Sequence, residues 1–303
     1  MFSILIPTYN VCLHSLVNDL LGQARQLNIP FEIIIEDDAS PMKNVREENL
    51  LLAENEEVTY IQNETNKGRS KVRNHLASLA QYPYLIVMDC DAAVRQSDYI
   101  SQYLQYVNAH AQDAQPFVVL GGVAYRNEIP EISCRLRWKY GCAREQKSAQ
   151  ERNRNPFKSF TPFNMLATKS VFDVCRFDES LSTYGFEDTF FGEELRTSGV
   201  CVEHVDNALY HDGLDANEVF LDKVEMSIGN LCKLLKENKL SDEFIADSRL
   251  LSTYFKCERL HVSKLVRWTL SIHRKALRRM ILNRFSLRAM DFYKLLCLCE
   301  KLG

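Results

Sequence analysis

Apolar runs typical of buried strands alternate with helical patterns in the N-terminal part of the sequence. The runs comprise residues 3–6, 31–35, 58–61 and 84–88. Leucine and valine recur at helical spacing after the first run, and residues 71–79 also read as a helix. This β-α-β-α-β-α-β order predicts an α/β, Rossmann-like fold in which a mostly parallel central sheet is flanked by helices on both faces.

Acidic side chains follow two of these predicted strands. Asp37 and Asp38 come after the second run, and Asp89 and Asp91 come directly after the fourth. Ligands of open α/β sheets bind at the carboxyl ends of the strands. Two carboxylates beside a buried strand need a positive partner, and Mn²⁺ or Mg²⁺ takes carboxylate oxygens readily. The alternative is an aspartate that caps a turn between strand and helix.

Five short motifs together resemble the family-2 glycosyltransferases, which have the GT-A fold. They are Ile-Leu-Ile-Pro-Thr-Tyr-Asn at 4–10, Asp-Asp-Ala-Ser at 37–40, Asn-Lys-Gly at 66–68 with Arg73 and Asn74, Asp-Cys-Asp at 89–91, and Tyr-Gly-Phe-Glu-Asp at 184–188. Their order and spacing are specific, although each is short. The resemblance covers residues 1–212, which we expect to form the catalytic domain, and it ends there.

The resemblance implies a nucleotide-sugar donor at the ends of the first strands. Thr8 and Tyr9 should flank the base, and either Asp37 or Asp38 should accept a hydrogen bond from it, with Asp37 favoured for uracil. Arg73 should lie near the nucleotide; the alternative is a surface residue of a helix. The nucleotide-sugar contacts implied in this way are Pro7, Thr8, Tyr9, Asp37, Asp38, Asn66, Gly68, Arg73 and Asp89.

The resemblance also implies the residues of the reaction itself. Asp91 should bind the cation, and His211 stands where several relatives have a third metal ligand, although a lone histidine is more often structural. Asp188 should be the catalytic base of an inverting displacement, and Glu187 should help to bind the acceptor. A carboxylate that opens a helix, as Asp188 does, could instead be a simple cap.

Composition agrees with an enzyme of a reducing compartment. The chain has 303 residues, of which 46% are hydrophobic, and its net charge of −3 gives no nucleic-acid signature. Its ten cysteines form no metal or disulfide spacing. The chain opens on a core strand, so we expect no signal peptide, and no apolar run reaches the ~20 residues of a membrane span. We therefore expect a cytoplasmic protein.

Two further regions are distinctive. Residues 122–163 predict an irregular polar connection that covers the donor and lines the acceptor groove. Residues 213–303 predict a helical C-terminal extension, in which 259–288 contain no Asp or Glu and suggest one basic amphipathic helix around Trp268. Such a helix suits an anionic membrane, which would place the protein peripherally on its inner face. The alternatives are packing against the catalytic domain or an oligomer contact.

The sequence thus favours a metal-dependent inverting glycosyltransferase. We expect it to move a sugar from a nucleotide-sugar, with UDP as the nucleotide, to a hydroxyl of a glycan or lipid-linked acceptor in surface polysaccharide synthesis. A sugar-phosphate nucleotidyltransferase would need a glycine-rich, lysine-bearing loop after the first strand, whereas no glycine precedes Gly22. A non-catalytic sugar-nucleotide-binding protein should have lost Asp91 or Asp188, and both are present.

Overall fold

A computed structural model describes residues 1–110, 115–158, 160–181 and 184–302. The strands are β1 Phe2–Thr8, β2 Phe31–Asp37, β3 Val58–Gln62, β4 Tyr84–Met88, β5 Ala92–Ala93, β6 Phe117–Leu120, β7 Val123–Ala124, β8 Asn164–Thr168, β9 Cys201–His204 and β10 Leu209–His211. The helices are α1 His14–Gln26, α2 Lys43–Leu50, α3 Arg69–Leu79, α4 Tyr99–Ala109, α5 Arg135–Arg144, α6 Ala149–Arg152, α7 Val171–Val174, α8 Glu187–Thr197, α9 Asn217–Lys236, α10 Asp242–Asp247, α11 Arg249–Arg259, α12 Ser263–Ile272, α13 Arg274–Arg284 and α14 Leu287–Leu302. Residue 159 of the predicted connection and residue 303 of the predicted extension lie outside the described residues.

The central sheet contains the four predicted strands. Among the described residues it has the order β3-β2-β1-β4-β8-β6-β9. Strands β1 to β4 are mutually parallel, β8 is antiparallel to both of its neighbours, and β9 is parallel to β6. The predicted mostly parallel sheet is therefore confirmed. The register sets Thr8 beside Asp37, so the carboxyl ends of β1 and β2 meet at one edge.

β1 and β4 are largely apolar because both faces of the sheet are covered. Ile4 and Ile6 point into a core formed with α1 and α4, whereas Leu5 belongs to a second core formed with α3, α7 and α8. Side chains alternate across a strand, so one apolar run supplies both layers. Each fully buried side chain of this kind stabilises the fold by about 1.5–3 kcal/mol.

A third core joins the C-terminal helices to the region 122–163. Leu136 of α5 packs with apolar residues of α9, α11, α13 and α14. The prediction that 122–163 is an irregular connection is wrong, since α5, α6 and β7 lie within it. Arginine and lysine dominate the sequence of α5, so its single buried apolar position gives little helical period. The proposed boundary between 1–212 and 213–303 stays a prediction.

The single basic helix predicted for 259–288 is also wrong. α11 ends at Arg259, α12 and α13 follow as separate helices, and Arg288 already belongs to α14. His261 and Phe285 have left-handed backbone, with φ of 56° and 50°. Neither glycine nor proline occurs in this segment, so its sequence carries no ordinary signal for these breaks. None of the described helices is long and apolar enough to cross a membrane.

Candidate active site

A cleft of about 1090 Å³ lies at the carboxyl ends of β1, β2 and β4. Most of the predicted site residues line it, although they come from distant parts of the chain. Those that line it are Tyr9, Asp38, Asn66, Gly68, Asp89, Asp91, Glu187, Asp188 and His211. Those that lie outside its lining are Pro7, Thr8, Asp37 and Arg73.

The two aspartates that end β2 hold the backbone around them. Asp37 is fully buried; its Oδ1 accepts from the Ser40 amide at 2.7 Å and its Oδ2 from the Tyr60 hydroxyl at 2.8 Å. Asp38 accepts from the amides of Lys67 and Gly68 at 2.7 and 2.9 Å. Asp38, rather than Asp37, therefore reaches the cleft, and the predicted contact of Asp37 with uracil stays a prediction.

The loop that Asp38 holds leads into α3. Asn66 donates from Nδ2 to the Asp38 carbonyl oxygen at 3.1 Å. Gly68 has a φ of 86°, a conformation that a side chain would strain, and it directly precedes the first residue of α3. Glycine at this position thus lets the chain turn into the helix beside the cleft.

Two arginines one helical turn apart on α3 bind the acidic groups together. Arg73 donates from Nη2 to Asp89 Oδ1 at 2.6 Å and from Nη1 to Asp188 Oδ1 at 2.5 Å. Arg69 donates from Nη2 to Asp89 Oδ2 at 2.8 Å, and its Nη1 lies 3.5 Å from Glu187 Oε1. Arg73 is 1% exposed, so the alternative of a surface residue is wrong.

Arg69 was not among the predicted site residues, although a signal for it exists. Residues four apart on a helix share a face. Once Arg73 is predicted to face the site, Arg69 on the same helix is therefore expected to face it as well. In the sequence, position 69 directly follows the Asn-Lys-Gly motif and precedes Arg73 by four residues. Arg69 also lies over the ring of Tyr184, with its guanidinium carbon 5.6 Å from the ring centroid.

The arginines set the charge of their partners. Burial alone would raise the pKa of Asp89, but the charges of Arg69 and Arg73 outweigh it and lower that pKa to about 2. Asp89 is therefore an anion at neutral pH.

Glu187 lies in a different environment. Burial and then the neighbouring Asp188 raise its pKa, and its Oε2 is buried and has no hydrogen-bond partner among the described residues. A polar atom left in this way is costly unless a ligand meets it.

Asp188 lies in the first turn of α8. Its side chain is 25% exposed, so part of the carboxylate is open to the cleft although Arg73 holds Oδ1. Phe186, the residue before the helix, has a left-handed φ of 68°. The predicted helix after Asp188 is confirmed, but it begins at Glu187, so both acidic residues lie in its first turn.

Asp91 and His211 form the candidate metal centre. Strand β10 pairs with β5 and sets His211 opposite Ala92, which brings its Nε2 to 3.8 Å from Asp91 Oδ2. The imidazole stacks on the rings of Phe163 and Tyr125, with centroids 5.1 and 5.7 Å away. Burial lowers the pKa of His211 despite the nearby carboxylate, which favours the neutral form that binds metals.

The donors at this centre suit a divalent cation. Asp91 Oδ1 is buried and finds no hydrogen-bond partner in the part of the chain described, and Nε2 is the ring nitrogen of His211 that faces Asp91. Oxygen and imidazole nitrogen together suit Mn²⁺ at least as well as Mg²⁺. Within the described ranges no three His, Cys, Asp or Glu side chains cluster as a complete metal site. The remaining ligands would have to come from substrate and water.

Two residues beside this centre escaped the sequence analysis. Arg137 donates from Nη2 toward His211 Nε2 at 3.2 Å and from both terminal nitrogens to Glu145 Oε2 at 3.1 Å. Gly213 lies so close to Asp91 that an added Cβ would stand 2.4 Å from both Cβ and Oδ2 of the aspartate. A glycine two residues after a candidate ligand was a usable signal, whereas nothing in the pattern around Arg137 indicated this contact.

Helices of the C-terminal region complete the cleft. Lys223, Val224 and Ser227 of α9 line it, as does Lys294 of α14. Asn230 of α9 also donates from Nδ2 to the Gly185 carbonyl oxygen at 2.8 Å, beside the turn that leads to Glu187. The wall opposite β1 and β2 is thus built partly from residues beyond 212.

Comparisons with known proteins agree with this architecture. Residues 3–172 match the model of Glycosyl transferase family 2. Chondroitin synthase of Pasteurella multocida (strain Pm70) is 26% identical over 274 residues, an alignment that covers 78% of this chain but only 27% of that protein. The chain therefore spans about a quarter of the length of this relative.

Two solved structures share the fold at low identity. The mannosyltransferase PcManGT from Pyrobaculum calidifontis, in complex with GDP-Man and Mn²⁺, aligns with a TM-score of 0.60 and 11% identity, over 99% of this chain and 86% of that one. Residues 1–349 of S. aureus TarS, in complex with UDP, align with a TM-score of 0.54 and 17% identity, over 99% and 88% of the two chains.

Proposed function

The chain belongs to glycosyl transferase family 2 and has the GT-A fold, and we propose that it is a metal-dependent inverting enzyme. Its donor is a nucleotide-sugar, with UDP as the expected nucleotide. Its acceptor is a hydroxyl of a glycan or of a lipid-linked glycan, in the synthesis of a surface polysaccharide. The glycosyltransferase class follows from the family; the metal, the stereochemistry and the substrates are the proposal.

The position of Asp188 carries this proposal. Its carboxylate lines the cleft, is partly exposed, and is tied through Arg73 to Asp89 at the end of β4. A carboxylate in this place can take the proton of an acceptor hydroxyl while the hydroxyl oxygen attacks the anomeric carbon. The bond from that carbon to the diphosphate breaks on the opposite side, which inverts the configuration. Glu187, one residue earlier, is placed to hold the acceptor.

The other acidic groups suit the donor. Asp38, Asn66 and Gly68 are assigned to the nucleoside with Tyr9, and Asp89 to the ribose or the water shell of the cation. Asp91 and His211 would hold the cation; the unpartnered buried Oδ1 of Asp91 and the 3.8 Å between Asp91 Oδ2 and His211 Nε2 support this assignment. When bound, a divalent cation supplies charge that stabilises the departing nucleoside diphosphate.

Two structural relatives bear on the choice of nucleotide. TarS was solved with UDP and PcManGT with GDP-Man, so the shared fold is compatible with either base. The chondroitin synthase match supports a glycan acceptor for this chain.

We also propose a peripheral position on the inner face of a membrane. The cations and the exposed apolar side chains of residues 259–288 support this position.

A donor panel tests the proposed function. Each nucleotide-sugar is incubated with the protein and Mn²⁺, and the released nucleoside diphosphate is measured. We expect turnover with one uridine donor and little without the cation. Asp188→Asn should keep the donor affinity measured by calorimetry but lose turnover by about 10²-fold or more, since a general base contributes that much.

Asp173→Asn is the matched control, because Asp173 is an exposed acid on α7 outside the cleft lining. It should behave as the wild type. Equal loss of affinity and turnover in Asp188→Asn would indicate a structural cap instead of a base. Release of pyrophosphate from a nucleoside triphosphate and a sugar phosphate would indicate a nucleotidyltransferase.

A further inference from the structure

The cleft wall opposite the nucleotide end is rich in cations. It is built by α5 with the loop after it, by α9 and by α14. Several of its positive charges are matched within the protein. Arg137 meets Glu145 at 3.1 Å, Lys223 meets Asp215 at 2.7 Å, and Arg144 of this wall meets Asp291 at 2.7 Å.

Other cations that line the cleft have no carboxylate partner. Lys147, Lys158 and Lys294 all line the cleft, and none of them forms an ion pair within the described ranges. Lys294 is half-buried, whereas Lys147 and Lys158 are exposed. A half-buried ammonium group without a carboxylate has a strong preference for an anionic ligand, because burial removes part of its hydration.

Lys294 is fixed in place by Tyr140. Its Nζ donates to the Tyr140 hydroxyl at 3.1 Å and lies 4.7 Å from the centroid of the same ring. Tyr140 in turn packs edge-on against Phe220, with centroids 5.3 Å apart. A lysine held against aromatic rings combines a cation with apolar ring faces. In a complex with a charged sugar, the cation would bind the anionic group. The ring faces would pack against the C–H groups of the sugar.

We propose that Lys294 and Tyr140 form an acceptor subsite for an anionic group, a sugar carboxylate or a phosphate, with Lys147 and Lys158 adding positive charge. This rests on the proposed glycosyltransferase function. The donor's diphosphate has other partners, since Arg69 and the candidate cation ligands Asp91 and His211 lie with Asp38 and Gly68. Lys294 itself contacts Tyr140 and none of these nucleotide-end residues within the described ranges. The acceptor is therefore an acidic glycan or a phosphorylated one.

Paired probes test this subsite on the intact protein with UDP and Mn²⁺ present. The first pair is a set of hexuronate-containing oligosaccharides and the same compounds with each carboxylate reduced to an alcohol. The second pair is a neutral oligosaccharide with and without a phosphate monoester. Binding of all four is measured by calorimetry, which does not require that any probe be a substrate.

We expect the charged member of at least one pair to bind about tenfold more tightly than its neutral partner, as one charge-assisted contact would give. Lys294→Gln should remove that preference, Lys294→Arg should keep most of it, and both should bind UDP as the wild type does. The pair that shows the preference distinguishes carboxylate from phosphate. Lys275→Gln, at an exposed lysine of α13, is the control and should change nothing.

Three results would overturn the proposal. Equal binding of charged and neutral probes in every pair means that no anionic subsite exists. A preference that survives Lys294→Gln places the subsite elsewhere. Weaker UDP binding in Lys294→Gln means that the lysine serves the donor. Failure of the proposed function is a separate result, namely no UDP binding and no nucleoside diphosphate release by the wild type.

Discussion

Arg73 forms ion pairs that no sequence pattern indicates. The sequence predicts Asp89, Arg73 and Asp188 as site residues, and the structure brings the three side chains together. Their pairing could not be predicted, because Arg73 bridges partners 16 residues and 115 residues away, and such distances depend on how α8 packs beside α3. Residue type and spacing therefore indicate which side chains gather near the cleft, but not the atoms that each side chain contacts.

Gly213 gives a prediction at the same scale. A Cβ at this position would stand 2.4 Å from Asp91 Cβ, and the backbone is not left-handed here, so contact rather than strain decides the effect. We expect Gly213→Ala to displace the Asp91 carboxylate and to lower Mn²⁺-stimulated turnover by about 10²-fold, as misplacement of a catalytic group by ~1 Å does. Nucleoside diphosphate release as a function of Mn²⁺ concentration measures this.

Gly22→Ala is the control for that substitution. Gly22 lies within α1, nothing stands within 4 Å of an added Cβ, and alanine is the better helix former. Its turnover should equal that of the wild type. If Gly213→Ala also turns over normally at every Mn²⁺ concentration, Asp91 is not held by this contact or does not bind the cation.

The extent of burial explains which predicted strands and helices the structure confirms. β1 to β4 were predictable because each contains an apolar run, and β1, β2 and β4 are buried along most of their length. The basic segment was not, because its helices bury few side chains: α12 has none that is fully buried. A segment with so little packing gives a helical period but no information on where one helix stops and the next begins.

The exposed face of α12 leads to a prediction about membranes. Leu265, Trp268 and Ile272 lie on one side of the helix and are 59%, 63% and 60% exposed. Nearby cations add attraction to anionic lipid of about 1 kcal/mol each. We expect the protein to co-sediment with vesicles that contain phosphatidylglycerol and to detach as salt rises. A triple variant with glutamine at these three positions should stay in solution and bind UDP normally.

Leu50 and Leu51 supply the matched control for the membrane experiment. They are 56% and 54% exposed and lie at the end of α2, outside the basic segment. Glutamine at both should leave vesicle binding unchanged. If the wild type ignores anionic vesicles at low salt, the α12 face packs on a protein partner or on a second copy, and the membrane proposal fails.

The molecule as a whole is held by cores that cross the predicted boundary at residue 212. Met290 and Tyr293 of α14 are fully buried against helices that include α5, from the N-terminal side of that boundary. Removal of residues 259–303 would uncover this core, so truncation cannot separate a membrane role from folding. Surface substitutions on α12 are the cleaner experiment.

A buried histidine makes the stability of the whole fold depend on pH. His204 of β9 is 4% exposed; its Nε2 donates to the Pro156 carbonyl oxygen at 2.9 Å and its Nδ1 accepts from Arg152 at 2.7 Å. Burial lowers its pKa to about 4, from about 6.5 in the unfolded chain. Between pH 6.5 and pH 4, His204 is therefore protonated in the unfolded chain but neutral in the folded chain. The free energy of unfolding falls as the pH is lowered through this range.

We predict that His204→Gln removes this part of the pH dependence. Between pH 7 and pH 5 the free energy of unfolding should fall by about 2 kcal/mol less in the variant than in the wild type, from the linkage relation. Urea titrations at both pH values measure it. His273→Gln, at an exposed histidine, should keep the wild-type difference. Equal pH differences in all three proteins would mean that His204 titrates normally when folded.

The order of the chain has a consequence for how this protein is made. β1, β2 and β4 carry the acidic end of the cleft, whereas α14 completes its opposite wall and is translated after every other element described. Domains fold from the N-terminus as they leave the ribosome. A nascent chain thus forms the sheet first, while the apolar sides of α5 and α9 wait uncovered for α14. Until α14 emerges, this apolar surface is open to the aggregation that exposed apolar surface promotes during folding.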